Sequence, residues 1–77
     1  MSKEKIKKIM SDVFELNISE ISDNTTQKNT EKWDSLSHLN LVVEIEEYFS
    51  VSFSPEQIGS MLSLTSIVKE LEKIKDD

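Results

Sequence analysis

The sequence predicts an all-α fold: a small irregular four-helix bundle with a long loop between its first two helices and a short third helix. Three observations carry this. Apolar residues recur at three- and four-residue spacing in three separate stretches. No stretch alternates for long enough to form a paired strand. One long polar segment, 17–32, follows the first periodic stretch, so the helices cannot alternate up and down on equal short connections. Seventy-seven residues hold a single domain, 1–77, with one thin core; a chain of this size buries only about 60–65% of the surface it exposes when unfolded. The sequence has no cysteine, so neither a disulfide nor a cysteine-ligated zinc reinforces that core.

In chain order, Ile6, Ile9, Met10, Val13 and Phe14 form one face of a helix from about Lys3 to Leu16. The segment 17–32 is rich in Ser, Thr, Asn and Gln, and its only apolar residues, Ile18 and Ile21, are expected to pin it to the core. Connections of this length are uncommon in compact domains and often functional. Asp34 is a suitable N-cap for a second helix, 35–49. Val51-Ser52-Phe53 has no partner strand and reads as an extended link whose Phe53 plugs the core. Ser54-Pro55-Glu56-Gln57 starts a short helix, 55–61: serine caps, proline takes the first helical position, and Gln57 closes a capping box. Ser63 can cap the last helix, 64–75, whose face is Leu64, Ile67, Val68, Leu71 and Ile74.

Composition narrows the function. Nine lysines, no arginine and fifteen carboxylates give a formal charge of −6, which argues against nucleic acid as a partner. The opening MSKEKIKKIM is too charged for a signal peptide or a membrane span. A soluble, cytoplasmic, monomeric module is the expectation. In residues 1–32 six lysines balance six acids, whereas 33–68 holds Asp34, Glu44, Glu46, Glu47 and Glu56 and no lysine. Charge bias alone describes a solvated face; it also suits steering toward basic partners.

The second helix is apolar on two sides. Taking Leu36 as zero and about 100° per residue, Leu41, Val42, Ile45 and Phe49 fall between roughly 140° and 240°, a core stripe. Leu39 and Val43 fall at about 300° and 340°, beside Leu36, with Asn40, Glu44, Glu46 and Glu47 on or near them. A bundle this small can hardly cover a helix on both sides. The second strip, rimmed by carboxylates, is expected to stay exposed and to dock a partner. Ser35 lies at the first turn of this helix, where free N–H groups and the helix dipole favour a phosphate. Position favours it as a phosphodiester attachment point, although serine near a helix start is ordinarily a cap.

WDSLSHLNLVVEIEEYF, followed by a short loop, a proline-initiated turn of helix and SLTSIVKELEKI, resembles an acyl carrier protein across essentially the whole chain. Its most specific element is DSL leading a helix with L-x-x-x-I-x-x-x-F, here Leu41, Ile45 and Phe49. The resemblance implies 4′-phosphopantetheine on Ser35, with Asp34 as the acidic residue before it, attached from coenzyme A by a phosphopantetheinyl transferase. It implies that the thiol of that arm holds acyl groups as thioesters for biosynthetic enzymes, and that the chain is not itself an enzyme. Partners would be acyl or aminoacyl loading enzymes and downstream synthases, meeting Leu36, Leu39, Val43, Glu44, Glu46 and Glu47. An aminoacyl or peptidyl carrier has the same fold. An unmodified helical adaptor is the alternative from a different class.

The sequence departs from many fatty-acid carriers at four places. Trp33 stands where glycine is frequent before DSL, Ser37 and Asn40 stand where acids are frequent, and His38 where threonine is. Fewer acids near the serine suggest a specialised pathway, and a bulky Trp33 would work in the same direction by hindering close approach. Trp33 fits a core plug or a rim contact equally. His38, one turn beyond Ser35, could suggest a Ser–His pair, but no G-x-S-x-G or third orienting residue accompanies it. At about 200° it faces the core, where a structural hydrogen bond is expected. Asn17-Ile18-Ser19 and Asn24-Thr25-Thr26 match glycosylation sequons and read as coincidence. Asp23-Asn24-Thr25 lacks the glycine and closing glutamate of a calcium loop.

Overall fold

A computed structural model describes residues 2–75; Met1, Asp76 and Asp77, counted above in the domain and its charge, lie outside the described residues. Four α-helices follow one another: α1 Ser2–Phe14, α2 Ser35–Phe49, α3 Pro55–Ser60 and α4 Leu64–Lys75. Between α1 and α2 lies a short 3₁₀ turn, Ile18–Glu20, that the sequence pattern did not reveal. The fold is all-α, as the periodicity predicts. α1 packs on both α2 and α4, and the core collects Ile6, Met10 and Phe14 from α1, Leu41, Val42 and Ile45 from α2, and Leu64, Ile67 and Leu71 from α4.

Helices α1 and α2 stop for the same reason. Glu15 and Ser50 each take the left-handed conformation, φ 56°. The amides of Leu16 and Val51 then turn back to the carbonyls of Ser11 (3.1 Å) and Glu46 (3.0 Å), while Leu16 and Val51 pack against the core. This is the Schellman arrangement without the usual glycine. α1 therefore ends at Phe14, two residues before the expected Leu16.

The connection before α2 is polar in composition yet ordered by its own side chains. Thr26 and Asn29 exchange hydrogen bonds, the amide of Thr26 to Asn29 Oδ1 (2.9 Å) and the amide of Asn29 to Thr26 Oγ1 (3.1 Å). Asn29 Nδ2 also donates to the Asn24 carbonyl (3.0 Å). Asp23 accepts from Lys3 (3.0 Å) and lies 3.6 Å from Lys7, fastening the connection to α1. The Lys3 hydrogen bond, then its charge, holds the Asp23 carboxyl below the usual carboxylate range. At its other side Thr26 bridges antiparallel to Ser63: the Gln27 amide donates to Leu62 O (2.9 Å) and the Leu64 amide to Thr25 O (3.0 Å). Of the two expected apolar pins, Ile21 is buried but Ile18 is exposed. The 3₁₀ turn carries Ile18 outward, and buried Thr25 and Trp33 anchor the rest.

Phe53 is buried, plugging the core from the link after α2. The capping box of α3 forms between Ser54 and Gln57, with 2.9 and 3.2 Å bonds. Ser63 and Ser66 make the equivalent reciprocal pair before α4, each at 3.1 Å.

Candidate functional site

The start of α2 is built by Asp34. Its backbone is extended, and its Oδ1 accepts the Ser37 amide at 2.8 Å, so Asp34 is the N-cap. That bond, the largest influence on it, keeps the Asp34 carboxyl below its usual range. With the cap assigned to Asp34, Ser35 is left as the first helical residue, exposed to solvent. It belongs to the first helical turn, whose positive end suits a phosphate.

Two residues before Ser35 the chain enters the core. Trp33 is buried, its ring 5.3 Å from that of Phe14. This settles the choice between core plug and rim contact, and it corrects one expectation. The indole adds no bulk at the surface and cannot hinder approach to Ser35.

His38 is buried as well. Trp33 Nε1 donates to His38 Nδ1 at 3.0 Å, and His38 Nε2 lies 2.9 Å from the Ile58 carbonyl near the end of α3. An indole N–H only donates and a carbonyl only accepts. The partners therefore assign the neutral imidazole with its proton on Nε2. Both nitrogens being engaged in the interior, His38 does not form a pair with Ser35.

On the outer side of α2, Leu36, Leu39 and Val43 are 69%, 55% and 49% exposed. Glu44 and Glu47 are exposed near them, but Glu46 differs. Half-buried, it accepts the Phe53 amide at 2.8 Å and secures the link to α3. A wheel cannot show this, because the donor comes from a residue beyond the helix. An open groove between α1 and α2, lined by Asp12, Val13, Asn40, Val43 and Glu44, continues the strip.

The sequence model of a family described as a phosphopantetheine attachment site matches residues 4–71. The chain belongs to the acyl carrier protein family. Carriers of this family bear covalently attached 4′-phosphopantetheine, are typically non-catalytic, and work with phosphopantetheinyl transferases and synthases. Comparison with curated proteins gave no match. Residues at the carrier's helix start fit the group: an exposed serine at the positive end of α2, and a cap that does not use that serine. None of the described helices is long and apolar enough to cross a membrane.

Proposed function

We propose that Ser35 is the attachment residue and that this cytoplasmic, monomeric protein holds acyl intermediates for a specialised biosynthetic pathway. The observation that carries the assignment is the division of labour at the helix start: Asp34 caps through the Ser37 amide, and Ser35 is exposed with nothing structural to do there. In the transfer, the Ser35 oxygen forms a bond to the phosphorus of coenzyme A that bears pantetheine. The bond from that phosphorus to the adenosine half breaks, adenosine 3′,5′-bisphosphate leaves with the electron pair, and the hydroxyl proton passes to a base on the transferase. His38 cannot be that base, since its ring is committed to Trp33 and Ile58. Once attached, the arm supplies a thiol for thioester formation, and the carrier contributes placement rather than bond chemistry.

The Leu36, Leu39 and Val43 strip, with Glu44 and Glu47 beside it, is the surface that partners meet. Specialisation rests on Ser37 and Asn40 alone, now that Trp33 is interior. Each absent exposed ion pair weakens docking by only ~0.2–1 kcal/mol, but two can shift the choice between competing carriers severalfold.

The test treats wild type and Ser35→Ala with a broad-specificity phosphopantetheinyl transferase and coenzyme A. Wild type should gain one phosphopantetheine by mass, and the alanine variant none. Modification of Ser35→Ala would refute the assignment; an unmodified wild type favours the adaptor.

A further inference from the structure

Trp33 and His38 are both buried, both polar-tipped, and neither is explained by attachment or docking. They form one hydrogen-bonded chain, indole N–H to imidazole (3.0 Å), imidazole N–H to the Ile58 carbonyl (2.9 Å). The chain starts two residues before Ser35 and passes through the first turn of α2, where the His38 amide also makes that helix's opening bond to Asp34 O at 2.8 Å. It ends on α3, a six-residue helix with no buried residue of its own. Ile58 packs against the core from its partly buried position, and hydrogen bonds add to the placement of α3. Besides the His38 bond these include Gln57 Nε2 to Glu70 at 3.1 Å.

The indole is fixed from two directions, by the Phe14 ring and by His38. Remove the nitrogen bond and the buried indole keeps its packing but loses the one polar contact that fixes its ring orientation relative to α2, and the backbone of Trp33 leads directly into Asp34 and Ser35. Small displacements of a reacting atom cost rate steeply; about 1 Å can cost 10²-fold.

We propose that His38 is a positioning residue for the modification of Ser35: by bonding Trp33 on one nitrogen and Ile58 on the other, it locks the turn that presents the serine to the end of α3. This rests on Ser35 being the attachment residue. The bonds lost with His38 lie behind the serine and not on the docking strip, so the effect belongs in turnover rather than in carrier affinity.

The experiment follows transferase kinetics with coenzyme A for wild type, His38→Leu, His38→Gln and Trp33→Phe, each checked for folding by circular dichroism. Glutamine offers an acceptor oxygen and a donor NH2 in place of the two imidazole nitrogens; leucine offers neither; phenylalanine keeps the packing on Phe14 without the N–H. Expected is a kcat about tenfold lower for His38→Leu and Trp33→Phe, with KM within about twofold of wild type, and substantial recovery in His38→Gln. Unchanged kcat in folded His38→Leu or Trp33→Phe overturns the proposal, as does His38→Gln no faster than His38→Leu. Nitrogen NMR of wild type gives an arm that needs no variant: the proton must sit on Nε2, and a proton on Nδ1 overturns it. Failure of wild type to be modified at all would instead remove the attachment reading beneath it.

Discussion

On one side of α2, Leu41 and Ile45 are wholly buried; on the other, Leu36, Leu39 and Val43 stand in solvent. All five are aliphatic and belong to one helix, so residue type does not decide their fate. What decides it is the supply of covering elements. The inner side meets α1 and the core that α4 completes, while so short a chain has nothing left for the outer side. The buried set is fixed by folding, and the exposed set is available to another molecule.

The largest effect expected from this contrast is on the inner face. Ile45→Ala should cost about 2–5 kcal/mol by urea denaturation, as truncation of a buried isoleucine does. That is enough to unfold much of so small a protein. Ser50→Gly touches neither face but relieves a non-glycine residue held at φ 56°. It should add about 1 kcal/mol of stability and leave transferase kinetics unchanged, separating helix stability from face chemistry. Leu39→Ala should move stability by no more than about 0.5 kcal/mol, yet slow modification or transfer to a partner enzyme. Thermal melts as damaging as those of Ile45→Ala would break the contrast outright.

Acid should act on the carboxylates that tie elements together and spare the distinction between faces. Asp23, Asp34 and Glu70 all have carboxyls held below their ordinary values; for Glu70 the Gln57 bond leads, followed by the Lys73 bond. In the unfolded chain they take up protons at higher pH than in the folded one. Their stabilisation is therefore complete above the unfolded carboxylate range, near pH ~4, and fades as pH falls through the folded values. Asp34→Asn keeps a capping oxygen without the titration, so denaturation midpoints measured from pH 6 to 2 should fall less steeply than in wild type.

What could be read from the sequence was mostly local. The caps at Asp34 and Ser54 follow from neighbours three residues apart, and the two stripes of α2 follow from helical geometry alone. The core orientation of His38 followed too, but not its partners, because Trp33 and Ile58 reach it from separate elements. Glu46 was read as part of the outer rim and is half taken up by Phe53 for the same reason. The left-handed ends at Glu15 and Ser50 carried no glycine to announce them. Ile18 misled because apolar character in a loop says nothing about which way a 3₁₀ turn will face it.

The seam between Thr26 and Ser63 has a consequence in time. It joins places far apart in the chain, and contacts of wide sequence separation carry a closure cost that local helix formation does not. Synthesis runs from the N-terminus, so Ser35 emerges before the residues that finish its loop. A growing chain that has not yet reached Leu64 can wind α2 but cannot close the seam. The serine should therefore become fully presented only after Leu62 and Leu64 are free to close the seam, a step set by chain order rather than by the helix that carries Ser35. Released chains truncated before Leu62 and full-length chains, offered the same transferase, should differ in their rate of modification; equal rates would show that α2 alone suffices.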